Sequence, residues 1–297
     1  MGPLDTLIAQ GATLRHASSV RRLLSSYSGA ACKLRGNGAG ALEDISFLTD
    51  GSLDLAAAAA LAAASGGTQA LWHTAYDQAE LVNVAQTTDA NQPLFGVDYE
   101  TKGGMQGTGV ARFMSVNLGT LPNPSFICFI VNIASVSGTR TLLGTSSTGA
   151  AYCRMLNDLP AQAWGTAMTG TSQSTGKRLL GFLVNGASSQ IYVNGALNAS
   201  GDSGNTLLNM NNGTLGKSSF LTTTTWFNTV GNTMSEFIIF DGNPTALVGW
   251  TDFVTSQKSY FGAIQQVLSS YLSVPPLPAG ATARWNVLSN SAGLLAT

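Results

Sequence analysis

The sequence predicts an all-β protein, an antiparallel β-sandwich or jelly roll with a few peripheral helices. From Gly104 onward, short apolar runs alternate with turns of Gly, Asn and Ser, the spacing expected of sandwich strands. Within "QIYVNGALNAS", Asn194-Gly195 supplies the positive backbone angles of a tight two-residue hairpin, and alternating residues flank it. "SFICFIVNI" is apolar on both faces, as a central strand covered on two sides must be.

The other elements follow in order. "ACKLR" sets Ala31, Lys33 and Arg35 against Cys32 and Leu34, the period of two of a half-buried strand. A short strand is expected around Ile45 to Phe47, between turns at Gly36–Gly40 and Asp50-Gly51. "SLDLAAAAALAAASGG" is the clearest helix: Ser52 or Asp54 can cap it, alanine favours it, and Gly66-Gly67 closes it. Its small side chains let it lie close against another surface. "QALWHTAYDQ" resumes strand character. "VARFMSVNL", "TRTLLGTS", "AYCRMLN", "KRLLGFLVNG" and "SEFIIFDG" supply further strands, and a late helix spans about Pro244 to Phe261. This reading gives one jelly-roll domain over residues 1–272, with an N-terminal elaboration over 1–103, and an extended Pro-containing arm over 273–297.

Composition narrows the function classes. Only 10% of residues are charged, against about 25% in an average soluble domain, while 44% are hydrophobic. A surface so poor in charge and rich in small polar residues implies coverage by neighbours, as in a subunit of an assembly. A net charge of −1, with Arg15, Arg21 and Arg22 as the only basic knot, argues against a nucleic-acid partner. No apolar run approaches the ~20 residues of a membrane-spanning helix, so membrane insertion is not expected. Cys32, Cys128 and Cys153 show neither disulfide nor zinc-ligand spacing, and with only His16 and His73 no histidine metal cluster is expected.

Chemistry-bearing residues concentrate in "ALWHTAYDQAELVNVAQTTDANQPLF", from Ala70 to Phe95. On a regular strand Trp72 and Tyr76 share one face and Asp77 points to the other. Gln78, Asn91 and Gln92 can satisfy backbone groups where the chain turns at Pro93. The segment therefore reads first as a seam of the fold, with Trp72, Tyr76, Asp77 and Gln78 as candidate binding residues. A glycosidase needs two carboxylates about 5–5.5 Å or 6.5–9.5 Å apart, and Asp77 and Glu236 are the acids expected on or near strands. His73 lacks a G-x-S-x-G nucleophile elbow elsewhere and reads as a hydrogen-bonded, partly buried side chain. "GNGAG" lacks the Lys-Ser/Thr of a phosphate loop and reads as a turn. Trp164 and Trp226, in loop-like polar context, are candidate platforms for stacking on a glycan.

Several spaced motifs carry a resemblance. They are "RRLLSSYSGAACKLRG" with its Tyr27-Ser28-Gly29 turn, the Gly51–Asp54 helix start, the Trp72…Tyr76-Asp77-Gln78 strand and the Ala90–Pro93 turn. Together they resemble the start of the catalytic-type domain of fungal α-L-arabinofuranosidase B, a concanavalin A-like, laminin-G-like jelly roll. They also resemble a family of bacteriophage virion proteins that carry this module without evident enzymatic function. Three departures bear on activity. Ala79-Glu80-Leu81-Val82 stands where the family has Ser-Gly-Asn-Gly, no later acidic stretch matches the nucleophile region, and no vicinal cysteine pair exists. The resemblance, the sparse charge and the arm then imply a non-enzymatic structural protein of a tailed-phage virion, a head decoration or tail component. Its expected partners are other virion proteins, itself as a homo-oligomer and a host-surface glycan, with assembly in the bacterial cytoplasm. A carbohydrate-binding module and an arabinofuranosidase-like hydrolase are the alternatives. Laminin-G-like folds hold calcium at a sandwich rim, but no ligand set is identifiable here, so no cofactor or metal is assigned.

Overall fold

The computed structural model describes residues 1–262 except 37–39, 67–68, 97–101, 108, 110–111, 146–150, 205–207 and 218–225. The chain divides into a unit over Met1–Ile264 and a second over Gln265–Thr297. The arm expected over 273–297 lies outside the described residues, as does the middle of the Gly36–Gly40 turn.

In chain order the strands are β1 (Thr13–Ser19), β2 (Cys32–Gly36), β3 (Leu42–Ile45), β4 (Ala70–Ala75), β5 (Val84–Ala85), β6 (Leu94–Gly96), β7 (Gly104–Gln106), β8 (Met114–Val116), β9 (Thr120–Leu121) and β10 (Ser125–Ile133). They continue as β11 (Thr139–Gly144), β12 (Ala151–Leu156), β13 (Leu159–Trp164), β14 (Ala167–Thr169), β15 (Gly176–Val184), β16 (Ser189–Val193), β17 (Ala196–Gly201), β18 (Leu208–Asn209), β19 (Gly213–Leu215) and β20 (Thr233–Asp241). The helices are α1 (Asp5–Ala9), α2 (Leu55–Ala64) and α3 (Gly249–Tyr260). All the pairings are antiparallel.

Two layers form the sandwich. The inner layer runs β17–β16–β15–β10–β20, and β1 and β7 share the far edge of β20. The outer layer runs β3–β2–β4–β5–β8–β19–β11–β12–β13–β14. β6 bridges β4 to β7 and makes the layers one continuous ladder. The first third of the chain thus completes the same body as the later strands, and the all-β sandwich expectation holds.

The core lies between the layers. Phe129 stacks on Phe237 at 5.4 Å and meets Phe182 edge-on at 6.0 Å. β10 is buried along its whole length because its other face is covered too: Phe126 meets Trp250 of α3 edge-on at 5.2 Å. α2 is capped as expected, with Asp54 Oδ1 accepting from Ala57 N at 3.0 Å. Its approach to β2 is close: a Cβ on Gly36 would fall 1.7 Å from Ser65 Oγ.

The Asn194-Gly195 hairpin is realised with φ of 55° and 85°. Asn194 Oδ1 also accepts from Leu179 N, tying the tip to β15. Gly195 is doubly constrained, because an added Cβ would lie 2.6 Å from Val254 Cγ1 of α3. Gly195→Ala should therefore cost about 1–3 kcal/mol, read as a lowered urea midpoint with an unchanged m-value.

Candidate functional site

The Ala70–Phe95 segment does two jobs, divided by the face of the sheet. A register shift opposite Lys33 inserts one extra residue into β4: Leu34 pairs with Trp72 but Lys33 pairs with Thr74, leaving His73 between. Such a bulge puts two successive side chains on one side. Trp72 and Ala75 point into the core, whereas His73 and Thr74 both lie on the outer face with Lys33. The expectation that Trp72 and Tyr76 share a face fails for this reason. Trp72 is buried and donates Nε1–H to the Gly104 carbonyl, while Tyr76 is half-buried on the outer side.

The inward residues are structural. Asp77 is buried, and its carboxylate accepts four backbone N–H groups: Ala17 (2.8 Å) and Ala79 (3.0 Å) on Oδ1, Leu81 and Val82 (3.0 Å each) on Oδ2. The His16 ring stands 3.5 Å from Oδ2. Burial works to raise the pKa of Asp77, but His16 and the backbone donors outweigh it and hold it at about 2. Gln78 clamps the next segment, accepting from Leu23 N at 2.7 Å and donating to the Arg21 carbonyl at 2.8 Å. Gln92 donates to the Gln86 carbonyl at 2.7 Å.

Glu236 is equally committed. Ser19 Oγ donates to it at 2.7 Å, Arg21 Nε lies 3.2 Å away, and Gln257 of α3 donates at 2.6 Å. Burial raises its pKa, and Arg21 only partly offsets this. Glu236 and Asp77 are not a catalytic pair. Asp77 faces His16, whose ring lies 4.9 Å from Phe237 in the sandwich interior. Glu236 adjoins Phe237 in β20, so its side chain leaves by the opposite face, under α3. The sheet itself separates the two carboxylates. Trp164 and Trp226 are also buried, at 1% and 0% exposure, and present no ring to solvent. Cys32, Cys128 and Cys153 are buried free thiols, and among the described residues no three His, Cys, Asp or Glu cluster as metal ligands.

The outer face holds what sequence reasoning missed. Tyr76 donates its hydroxyl to Asp44 Oδ1 at 2.6 Å, and Lys33 Nζ stands 3.5 Å from the same oxygen. Burial and this bond push the Tyr76 phenol well above its usual pKa, so it stays a donor. One outward position along β2, Arg35 Nε lies 3.1 Å from Asp89 Oδ1. His73 sits beside them with Nδ1 2.9 Å from Thr74 Oγ1. Burial, then Arg35 and Lys33, depress its pKa and keep the ring neutral near pH 7. Two accessible carboxylates, two cations, a phenol and an imidazole thus share one patch. That arrangement can orient hydroxyl groups and exchange protons.

Neither a family model nor a curated protein matches the sequence. Solved structures do match. An arabinofuranosidase complexed with arabinofuranosyl-α-1,2-xylobiose aligns over 86% of this chain with a TM-score of 0.60 and 17% identity. A GH54 α-L-arabinofuranosidase soaked with a cyclic sulfate inhibitor aligns over the same 86% with a TM-score of 0.59 and 17% identity. The chain shares their fold. It spans 65% of the length of each of those proteins. This likeness overturns the expectation of a non-enzymatic virion protein, since the structures that share the fold are those of arabinofuranosidases.

Because the folded pKa of Asp77 is depressed from 3.8 to about 2, its stabilisation is present above pH ~4 and lost as pH falls through ~2, a span worth about 2 kcal/mol. Asp77→Asn, which leaves backbone donors unpaired, should cost ~3 kcal/mol or more at pH 6. The gap to the parent protein should narrow between pH 4 and pH 2 in urea titrations, a comparison in which Glu236 contributes equally to both.

Proposed function

We propose that this chain is a glycoside hydrolase acting on arabinofuranoside-type glycans, with its site on the outer face of β2, β3 and β4. What supports the reading is that 86% of the chain takes the fold of arabinofuranosidases at a TM-score of 0.60, and that this face brings together two carboxylates that solvent can reach.

Glycoside cleavage asks one carboxyl group to protonate the departing oxygen and another to attack the anomeric carbon or activate a water. Asp44, which accepts from Tyr76 and has Lys33 Nζ 3.5 Å away, takes the second role. Asp89, 62% exposed and 3.1 Å from Arg35 Nε, takes the first. As the bond from the anomeric carbon to the leaving oxygen breaks, the proton from Asp89 neutralises that oxygen and Asp44 meets the charge developing on the sugar. His73 and Thr74 lie where they can receive sugar hydroxyls.

The test is release of 4-nitrophenol from 4-nitrophenyl α-L-arabinofuranoside. Asp44→Asn and Asp89→Asn should each lower kcat/KM by about 10²-fold or more, with thermal stability unchanged, whereas Glu236→Gln should act through stability. An inert parent protein, or full activity in both variants, overturns the proposal.

A further inference from the structure

A second feature of the same face adjoins the charged patch. Register places Asp44, Lys33, Thr74, Ala85, Ser115 and Thr214 in one row across β3, β2, β4, β5, β8 and β19, since directly opposed residues of antiparallel strands share a face. At its far end the row enters a cleft of about 330 Å³ lined by Asn83, Ala85, Ser115, Asn117, Asn212 and Thr214 among others. That volume is at the lower end of the range for small-ligand clefts.

The chemistry of the cleft is one-sided. None of its lining residues is charged, and its polar groups are amides and hydroxyls. Asn83 uses Oδ1 to accept from Asp77 N, and Thr214 donates to the Lys217 carbonyl. Ser115, Asn117 and Asn212 are exposed, and their side chains have no hydrogen-bond partner among the described residues. Each asparagine offers two donors and an acceptor, and serine offers one of each. Such a set pairs with adjacent hydroxyl groups and has nothing to neutralise a phosphate, sulfate or carboxylate. No aromatic ring is among the residues that line the cleft, and Phe113, just before β8, has the Lys217 ammonium 4.5 Å from its ring, so stacking is not the mode of recognition.

We propose that this cleft is a docking site for a neutral polysaccharide chain, separate from the charged patch. The choice of a glycan rests on the function proposed above; the cleft's recognition does not require turnover. Adjacent strands lie about 4.8 Å apart, so Lys33 and Ser115, three steps apart along the row, are separated by ~14 Å. The near rim at Ala85 lies one strand from Thr74, but a glycan that spans from Ser115 to the Lys33 end of the patch has to be several residues long. A small aryl glycoside beside Lys33 and Asp44 does not reach Ser115, Asn117 or Asn212.

The experiment uses the full chain and the variant Asn117→Ala/Asn212→Ala, with soluble arabinoxylan as the neutral polymer and polygalacturonate as the anionic control. Affinity electrophoresis reads binding, and hydrolysis of the polymer and of 4-nitrophenyl α-L-arabinofuranoside reads turnover. Arabinoxylan should retard the parent protein and polygalacturonate should not. In the variant, retardation should fall at least fivefold and KM for the polymer should rise by a similar factor, with small-substrate kinetics and Tm unchanged. Retardation of a parent protein that hydrolyses nothing would sink the hydrolase reading and leave the docking site standing. A parent protein that arabinoxylan does not retard, or a variant that binds it equally well, would overturn the docking site.

Discussion

The carboxylate of Asp77 ties β1 to the loop that follows β4. Its two oxygens take backbone N–H groups from β1 and from the loop after β4, so one buried anion joins the later half of β1 to the exit of β4. An ionised carboxylate is costly to bury unless its lone pairs are filled, and here four N–H groups fill them. The loop that supplies three of these donors turns through Glu80 at φ 61°, a left-handed conformation that glycine adopts more easily. The glycines that the resemblance leads one to expect at this loop are absent, yet the turn persists. What enforces it is the anion at its centre.

With the inner side fixed in this way, the outer side of the same strands is free for chemistry. Asp44, Lys33, Arg35, His73, Tyr76 and Asp89 contribute little to the core, and their charges are matched pairwise at the surface. Exposed ion pairs of this kind are worth little to stability. The contrast with Glu236 is instructive, since its partners cover it completely and its raised pKa marks a group that burial makes uncomfortable rather than one presented to a substrate. A perturbed carboxylate pKa is a pointer to function only where solvent or substrate can reach the group.

Local signals in the sequence carried most of the fold. Asn194-Gly195, the apolar run of β10 and the capped alanine helix each follow from backbone preference or periodicity within a few residues, and each is present. β13 and its hairpin with β12 were not legible: Pro160 and the buried Gln162 break the apolar pattern, and Asn157 at φ 54° makes the turn without a following glycine. α1 has five residues, too few for a periodic signal. The site was harder still. Trp164 and Trp226 lie among polar neighbours in sequence, yet both rings are buried, and Trp226 Nε1 donates to the Thr233 carbonyl at 3.3 Å. Asp44 and Asp89 belong to one patch only because β2 places Lys33 and Arg35 between them. Alternation predicts which residues a strand turns inward, but not where the count skips.

That skip in β4 sets the phase of everything after it. His73 and Thr74 fill a single outward position, so removing either would let the ladder run without interruption while Tyr76 stays outward and Asp77 inward. Removing Ala75 would do the opposite, turning Tyr76 toward the core and Asp77 toward water. The chain would then exchange a filled anion site for a buried phenol with no carboxylate beside it, and the outer patch would lose its donor. A deletion between Trp72 and Asp77 is therefore tolerated only at the doubled position, and one elsewhere is barred from both sides of the sheet at once.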